Sequence, residues 1–309
     1  MSPNLEYDVL IIGGGPAGMA AAIWCADLGL SAAIIEMESR LGGQLHRIYN
    51  PISNYPGILC QSGSELHEKF HDHLLMCTSI DRIEAEAVKV RQDPLRLVTS
   101  DGLELKCKAL VIATGVEKRR LGIPGETEFQ GKGVMSSGAK ERREIAGKRV
   151  AIVGGGDAAL ENALILSDLA EHVYVIHRGE QFSARTDFVS QASGRPNVDF
   201  LTSRRVLSIG GHENVESIEI VSLKGEISKI DIDNILIRIG VTPNSSIFAD
   251  LVSRNESGYI LVDEECSTSV PGIYAVGDVT NQVAPTISGA VGQAATAIKS
   301  AFAKISHRS

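Results

Sequence analysis

The stretch from Tyr7 to Ile12 is apolar apart from Asp8. It gives way to Gly13-Gly14-Gly15-Pro16-Ala17-Gly18, then to an Ala-rich segment reaching about Leu28, and a second apolar run from Ala32 to Ile35 ends in Glu36. Short apolar runs bounded by glycines predict buried strands, and the Ala-rich segment predicts a helix between them. The glycines and Asp27 interrupt what would otherwise suggest a membrane span or secretory leader, and no basic segment precedes it. Strand, glycine turn, helix and strand with a terminal acid are the context in which a glycine trio binds a dinucleotide. Gly13 is expected to make the tight turn, Gly15 to let a pyrophosphate approach the backbone, and Gly18 to let helix and strand pack closely. The helix opening at Pro16 and Ala17 would offer amide donors and a positive dipole to the phosphates, and Glu36 would accept from ribose hydroxyls.

The pattern returns 141 residues later: Val150 to Val153 as strand, Gly154-Gly155-Gly156-Asp157-Ala158-Ala159 as turn, Ala158 to Leu169 as helix, and Val173 to Ile176 as the next strand. Two dinucleotide folds are therefore expected, with Gly154, Gly156, Asp157 and Ala158 at the second nucleotide site. Glu36 lies 23 residues after Gly13, and the same count from Gly154 lands on His177, followed by Arg178. With no ribose-binding acid there, the His-Arg pair suits a 2′-phosphate. Three more segments each end a short apolar strand: Ile112-Ala113-Thr114-Gly115, Gly240-Val241-Thr242-Pro243-Asn244, and Gly272-Ile273-Tyr274-Ala275-Val276-Gly277-Asp278. The last precedes a Gly/Ala-rich helix, Gly289 to Lys304, so Asp278 and the helix amides are placed to meet a cofactor.

At 309 residues and 43% hydrophobic, the chain is long enough for two domains with sizeable cores. Its formal charge of −8 excludes a broad electrostatic footprint for nucleic acid or anionic membrane. The five cysteines (Cys25, Cys60, Cys77, Cys107, Cys266) are odd in number and no two lie closer than 17 residues, which suggests neither a disulfide framework nor a zinc site. A cytoplasmic protein with free thiols and no metal is the expectation.

These motifs, with Gly42-Gly43-Gln44 and Asn54-Tyr55-Pro56-Gly57, resemble in order and spacing the low-molecular-weight thioredoxin reductase branch of the two-dinucleotide-domain flavoproteins, across essentially the whole chain. The resemblance implies an α/β protein of two Rossmann-like, three-layer, parallel-sheet domains, the second inserted into the first. A discontinuous FAD domain would comprise residues 1–115 and 246–309, and an NAD(P)H-binding-like domain residues 116–245. FAD contacts would come from Gly13, Gly15, Pro16, Ala17, Gly18, Glu36, Gly43, Gln44, Asn54, Ala113, Thr114, Gly115, Gly277, Asp278, Thr286 and Ile287. The resemblance also implies a homodimer.

Two departures bear on the chemistry. Relatives that reduce thioredoxin carry Cys-x-x-Cys just before the second fold; here Gly131-Lys132-Gly133-Val134 leads without a gap into Met135-Ser136-Ser137-Gly138-Ala139-Lys140-Glu141, with Ser137 and Lys140 at the cysteine positions. A serine hydroxyl cannot form a disulfide or take an electron pair from flavin, so the dithiol relay cannot operate there. The family's NADPH site also reads His-Arg-Arg with a further Arg four residues on, whereas this chain has Gly179 and Ser183 at two of the three arginine positions, leaving Arg178 and a displaced Arg185. Each charge-assisted contact is worth about 1.5 to 3 kcal/mol. The second site is thus open to NADPH held weakly, NADH, a second flavin nucleotide, or nothing.

Basic runs at Lys118-Arg119-Arg120 and at Lys140, Arg142, Arg143, Lys148 and Arg149 are either a docking patch for an acidic carrier such as ferredoxin or a solvated face partnered by Glu141 and Glu144, the latter favoured. His67 and His71 share a helical face, with His73 off it; the interleaved charges favour an exposed amphipathic helix over a metal site. Cys60 and Cys77 are a relocated redox pair only if folding joins them, and Tyr49 and Tyr55 are either flavin neighbours or core. The function expected is an FAD-dependent oxidoreductase passing electrons from NAD(P)H or a ferredoxin- or flavodoxin-type protein to an acceptor, the flavin itself doing the chemistry. The alternatives are a ferredoxin-NADP reductase-like enzyme or a non-catalytic flavin-binding sensor or scaffold.

Overall fold

In strands β1 (Glu6–Ile12) and β2 (Ala32–Glu36) alternate side chains enter two different cores, because successive residues of a strand point to opposite faces. Val9, Ile11, Ala32 and Ile34 join one core, and Leu10, Ile12, Ala33 and Ile35 the other. The computed structural model describes residues 6–281 and 283–306. The chain divides into two compact units, one running to Glu117 and resuming at Thr242, the other spanning Lys118–Val241. The crossings thus fall two residues after 115 and four before 245.

Between β1 and β2 lies α1 (Pro16–Asp27), followed by α2 (Gly63–Leu75), β3 (Ile80–Glu84), the antiparallel β4 (Ala87–Arg91) and β5 (Arg96–Thr99), and β6 (Glu104–Ile112). The sheet order is β3-β2-β1-β6-β5-β4. From β1 the chain moves outward to β2 on one side, while β6 returns on the other in parallel register, Ile12 beside Ile112. A topological switch point therefore lies at the carboxyl ends of β1 and β6, where open α/β sheets bind ligands.

Strand β7 (Val116–Lys118) leads to the second unit. There β8 (Val134–Met135), α3 (Gly138–Glu141), β9 (Arg149–Val153), α4 (Asp157–Ser167), β10 (His172–Ile176), α5 (Thr186–Ser193) and β11 (Val198–Leu201) follow in turn. The antiparallel β12 (Arg204–Gly211), β13 (Val215–Ser222) and β14 (Ile227–Asp231) form a separate sheet before β15 (Asn234–Ile237) joins the parallel one, of order β11-β10-β9-β15-β8. Helices α4 and α5 cover one face through Leu160, Ala163 and Ala192, and the antiparallel sheet covers the other through Val206, Ile218 and Ile220. These are the three layers anticipated from the sequence.

The chain returns through β16 (Val241–Pro243), then β17 (Ile273–Ala275), parallel to the end of β6, and the 20-residue α6 (Ile287–Ser306). Ala290, Ala294, Ala297 and Ala301 of α6 enter the core that also holds Ala17, Ala20 and Ala21 of α1, so small side chains let the two helices approach closely. No helix among the described residues is long and apolar enough to cross a membrane.

Candidate functional site

The switch point of the first unit opens into a cavity of about 570 Å³. Four segments meet there: Gly13–Ala17 after β1, Gly43 and Gln44 with their neighbours, Ala113–Gly115 after β6, and Val276–Asp278 with Thr286 and Ile287 at the start of α6. The glycines of the turn differ in what surrounds them. Gly13 has φ +101°, and a Cβ there would lie 2.4 Å from the Ala113 carbonyl oxygen; a Cβ on Gly18 would lie 1.8 Å from the Gly13 oxygen. Both are packing requirements, and Gly18 accordingly lies beneath the turn, outside the cavity lining. Gly15 has nothing within 4 Å of its missing Cβ, so its bare backbone faces open space.

Glu36 ends β2 half-buried, its carboxylate accepting the Gly14 N–H at 2.7 Å and the Glu38 N–H at 3.0 Å. The loop carrying Gly43 is tied down by the Gly42 N–H donating to the Gly14 oxygen at 2.8 Å, and Gln44 Nε2 donates to the Val116 carbonyl at 2.7 Å. Thr114 and Asn244, 130 residues apart, exchange two hydrogen bonds: Thr114 Oγ1 donates to the Asn244 oxygen at 2.7 Å, and Asn244 Nδ2 donates to the Thr114 oxygen at 2.9 Å. Thr286 Oγ1 accepts from the Gly289 N–H at 3.1 Å and so caps α6. With α1 capped only by Gly15, two helix N-termini face the cavity. Gly277, φ +76°, would place a Cβ 3.0 Å from Ala17 Cβ, and this contact brings the two ends together. Half-buried Asp278 has its pKa raised by burial, the cost of holding a carboxylate out of water.

Asn54 is exposed and lies outside the cavity lining, in the Asn54–Gly57 turn. Tyr49 is exposed, and Tyr55 packs on Phe70 with ring centroids 6.2 Å apart, lining a different groove. Sequence reasoning missed Arg40, His46 and Asn244, which do line the cavity. Only Asn244 carried a signal, as the end of the Gly240–Asn244 strand terminus. His46 contacts His67 at 4.6 Å between ring centroids, and His67 stacks on His71 at 5.7 Å, so the shared helical face is partly covered rather than solvated. Burial, then His46, His71 and Arg40, push the His67 pKa down. No metal-binding group of three or more ligands occurs among the described residues.

In the second unit, Gly154 has φ +152° and a Cβ there would lie 2.1 Å from the Arg238 oxygen, while a Cβ on Gly155 would strike the His177 ring at 2.3 Å. Gly156 meets only Ser183 Oγ, at 3.8 Å, and precedes Asp157 and Ala158 at the start of α4. The segment after β10 folds back over this turn. The Ser183 and Ala184 N–H groups donate to the Gly155 oxygen at 2.8 and 3.1 Å, and His177 Nε2 lies 3.0 Å from the Gln181 oxygen with its ring stacked on Phe182. Arg185 is committed to Asp157, its N–H at 2.7 Å and its Nε at 3.2 Å from the carboxylate, and its guanidinium lies 3.9 Å over Phe188. Of the two arginines left near this strand end, Arg178 alone is exposed without an ion pair among the described residues.

A sequence profile of the pyridine nucleotide-disulphide oxidoreductases matches residues 7–301. The chain belongs to that family. It is 33% identical to the thioredoxin reductase of Bacillus subtilis over 304 residues, covering 97% of this chain and 95% of that protein. It is 32% identical to an alkyl hydroperoxide reductase polypeptide of Staphylococcus epidermidis over 96% of its own length, spanning 58% of that protein. The crystal structure of Lactococcus lactis thioredoxin reductase superposes with a TM-score of 0.83 at 30% identity, covering 97% of this chain and 99% of that one. As a pyridine nucleotide-disulphide oxidoreductase with this fold, the protein is an FAD-dependent oxidoreductase.

Within this pyridine nucleotide-disulphide oxidoreductase, the segment at the expected cysteine positions is a helix cap. Ser137 Oγ accepts the Lys140 N–H at 3.4 Å, and the Glu141 carboxylate takes the Ser136 N–H, Ser136 Oγ and Ser137 N–H at 3.0, 2.6 and 3.0 Å. Glu141 thus holds the turn together. All five cysteines are free thiols, so Cys60 and Cys77 are not joined; Cys77 Sγ instead donates to the His73 oxygen at 3.5 Å. Burial pushes the Cys25 and Cys107 thiols up to about 12, far from a reactive thiolate. Much of the basic run is engaged internally: Lys118 Nζ donates to the Ser136 oxygen at 2.6 Å, Arg119 Nε to the Val241 oxygen at 2.9 Å, and Arg142 and Arg149 pair with Asp168 and Asp233 at 3.0 and 3.3 Å.

Proposed function

We propose that this protein is an FAD-dependent reductase that draws electrons from a nicotinamide nucleotide and delivers them to an acceptor without a cysteine relay in its own chain. The observation that carries the reading is the helix cap at Ser137 and Glu141, which occupies with structural hydrogen bonds the place where the resemblance puts a dithiol. FAD fits the first-unit cavity: Gly15 leaves a cradle that a Cβ would fill, Glu36 is a fixed acceptor, and two helix N-termini face the space a diphosphate needs. When bound, FAD supplies two-electron acceptance from a hydride and onward transfer in one or two steps. The chain's part is to hold it, through Gly15, Ala17, Glu36, Gly43, Thr114, Asp278, Thr286 and Ile287, and to exclude bulk water. In the second unit, Gly154, Gly156, Asp157, Ala158, His177 and Arg178 frame the nicotinamide nucleotide.

A ferredoxin-like donor finds less support, because four of the eight cations expected to recruit it bond within the unit. A homodimer is part of the proposal, carried by the resemblance and measurable by light scattering on the purified chain. The experiment that tests the function is an anaerobic titration of the flavin-loaded protein with NADH and with NADPH, followed at the oxidised-flavin absorbance. Bleaching by either nucleotide supports the reading. Bleaching by dithionite alone overturns the nicotinamide donor and favours a ferredoxin-type donor or a flavin-binding sensor.

A further inference from the structure

Beside the first-unit cavity stand three imidazoles and a guanidinium that the glycine turn does not require. Arg40 and His46 line the cavity from the segment after β2, and His67 and His71 stand one turn apart on α2. His46 meets His67 with ring centroids 4.6 Å apart, and His67 stacks on His71 at 5.7 Å. Gly42 makes room for them, since a Cβ there would lie 2.3 Å from His46 Nε2 and 2.7 Å from His67 Cδ2. The adjoining Gly43 would place its own Cβ 3.2 Å from Gly15 Cα. The cluster therefore lies one residue behind the backbone that touches Gly15, where the N-terminus of α1 offers amides to a diphosphate.

No single protonation state satisfies this cluster. His46 Nε2 lies 2.7 Å from the Leu41 carbonyl oxygen and 3.0 Å from Arg40 Nε. A proton on Nε2 suits the carbonyl but opposes the Arg40 N–H; a bare Nε2 suits Arg40 but faces the carbonyl lone pairs. His46 Nδ1, His67 Nε2 and His71 Nδ1 are each buried without a hydrogen-bond partner. The groups acting on His67 are Arg40 and His46 from the segment after β2 and His71 from its own helix, opposed by one acid, Glu68. Burial first, and then these basic neighbours, lower its pKa from 6.5, so the ring is mostly uncharged at neutral pH.

We propose that the cluster of His46, His67 and His71 makes flavin binding proton-linked, taking up a proton as the diphosphate of FAD enters the cavity and releasing it as flavin leaves. Arg40 is the link. A diphosphate draws the guanidinium into a charge-assisted contact, which removes an N–H from His46 Nε2 and frees that atom to keep a proton for Leu41. The same negative charge offsets the positive surroundings of His67. The inference rests on the reading that FAD fills this cavity. Because the bound state holds more protons than the free one, flavin affinity rises as pH falls. The gain is complete below the His67 value of the free protein, which lies under 6.5, and is lost above the higher value of the bound protein.

The test is calorimetric titration of the full chain, stripped of flavin, with FAD. Titrations near about pH 6.5 in two non-phosphate buffers of different ionisation enthalpy count the protons exchanged, and the wild type should show net uptake. Between about pH 8 and about pH 5.5 its affinity should rise about threefold to tenfold, as a change of about half to one unit in the pKa of one histidine gives. His67→Gln and His46→Gln should each lose most of the uptake and flatten the rise, and Arg40→Gln should also weaken FAD at every pH. Asp278 lines the same cavity and is present in all of these proteins, so the comparison with the wild type isolates the histidines. The wild-type proton count needs no variant and stands even where a substitution unfolds the chain. FAD binding without proton uptake, or uptake that both histidine variants retain, overturns the proposal and leaves FAD in its cavity. Failure of the wild type to bind FAD at any pH overturns the reading of the cavity and this proposal with it.

Discussion

The Glu36 carboxylate accepts the Gly14 backbone N–H at 2.7 Å, so the acid that ends β2 is fixed by the glycine turn 22 residues before it. Its other oxygen takes the Glu38 N–H at 3.0 Å, leaving the remaining lone pairs to face the cavity. An amide cannot reproduce two charged acceptor oxygens, so Glu36→Gln is expected to weaken FAD by about tenfold to a hundredfold. The flavin-to-protein absorbance ratio after gel filtration reads this, and full retention of flavin would remove Glu36 from the site.

The glycines of the first turn differ in what a methyl group would meet. Gly18→Ala drives a Cβ to 1.8 Å from the Gly13 oxygen and should destabilise the fold by about 1 to 3 kcal/mol or more, as overpacking does. Gly15→Ala meets nothing within 4 Å, so it should melt like the wild-type apoprotein yet lose flavin. Thermal melts of the two apoproteins beside their flavin content separate these roles; equal melting temperatures would contradict the packing argument.

Burial raises the pKa of Asp278. A carboxyl whose folded value lies above its unfolded value costs nothing when protonated in both states. The penalty grows as pH rises through the unfolded value and is complete above the folded one. The Asp278→Asn apoprotein should therefore melt above the wild-type apoprotein at pH 7, and the gap should close as the pH falls toward about 4, the ordinary aspartate range. Flavin affinity should fall in the same variant. A wild-type apoprotein more stable than the variant at pH 7 would show that Asp278 has a stabilising partner.

Arg185 sits beside the second glycine turn but pairs with Asp157 at 3.2 Å, their side chains being 61% and 50% exposed. Arg185→Ala should leave the ratio of NADP⁺ to NAD⁺ affinity unchanged within about twofold, and change stability by no more than about 1 kcal/mol. Arg178→Ala should weaken NADP⁺ selectively. Parallel titrations of the two variants decide this, and a selective loss of NADP⁺ in Arg185→Ala would reassign the contact.

The two glycine turns were legible from the chain alone because their requirements are local: a positive φ at Gly13 and Gly154, a close approach at Gly18, and alternating apolar residues in strands buried on both faces. The dithiol's absence was equally plain, since it depends only on which residues stand at 137 and 140. What those residues do instead was not, because Ser137 and Glu141 become a cap only once α3 exists to be capped. Asn54 was expected in the cavity from the resemblance, but it stands exposed and outside the cavity lining.

The remaining decisions belong to pairs far apart in the chain. Thr114 meets Asn244, His46 meets His67, Arg185 meets Asp157, and Arg238 closes on Gly154, and no periodicity records any of these. Sequence determined the two parallel-sheet units and the turns that can hold nucleotides, because backbone conformation and burial pattern are written residue by residue. Only tertiary structure decided which charges are spent on one another, as Arg185 is on Asp157, because that follows from how strands and loops distant in the chain assemble.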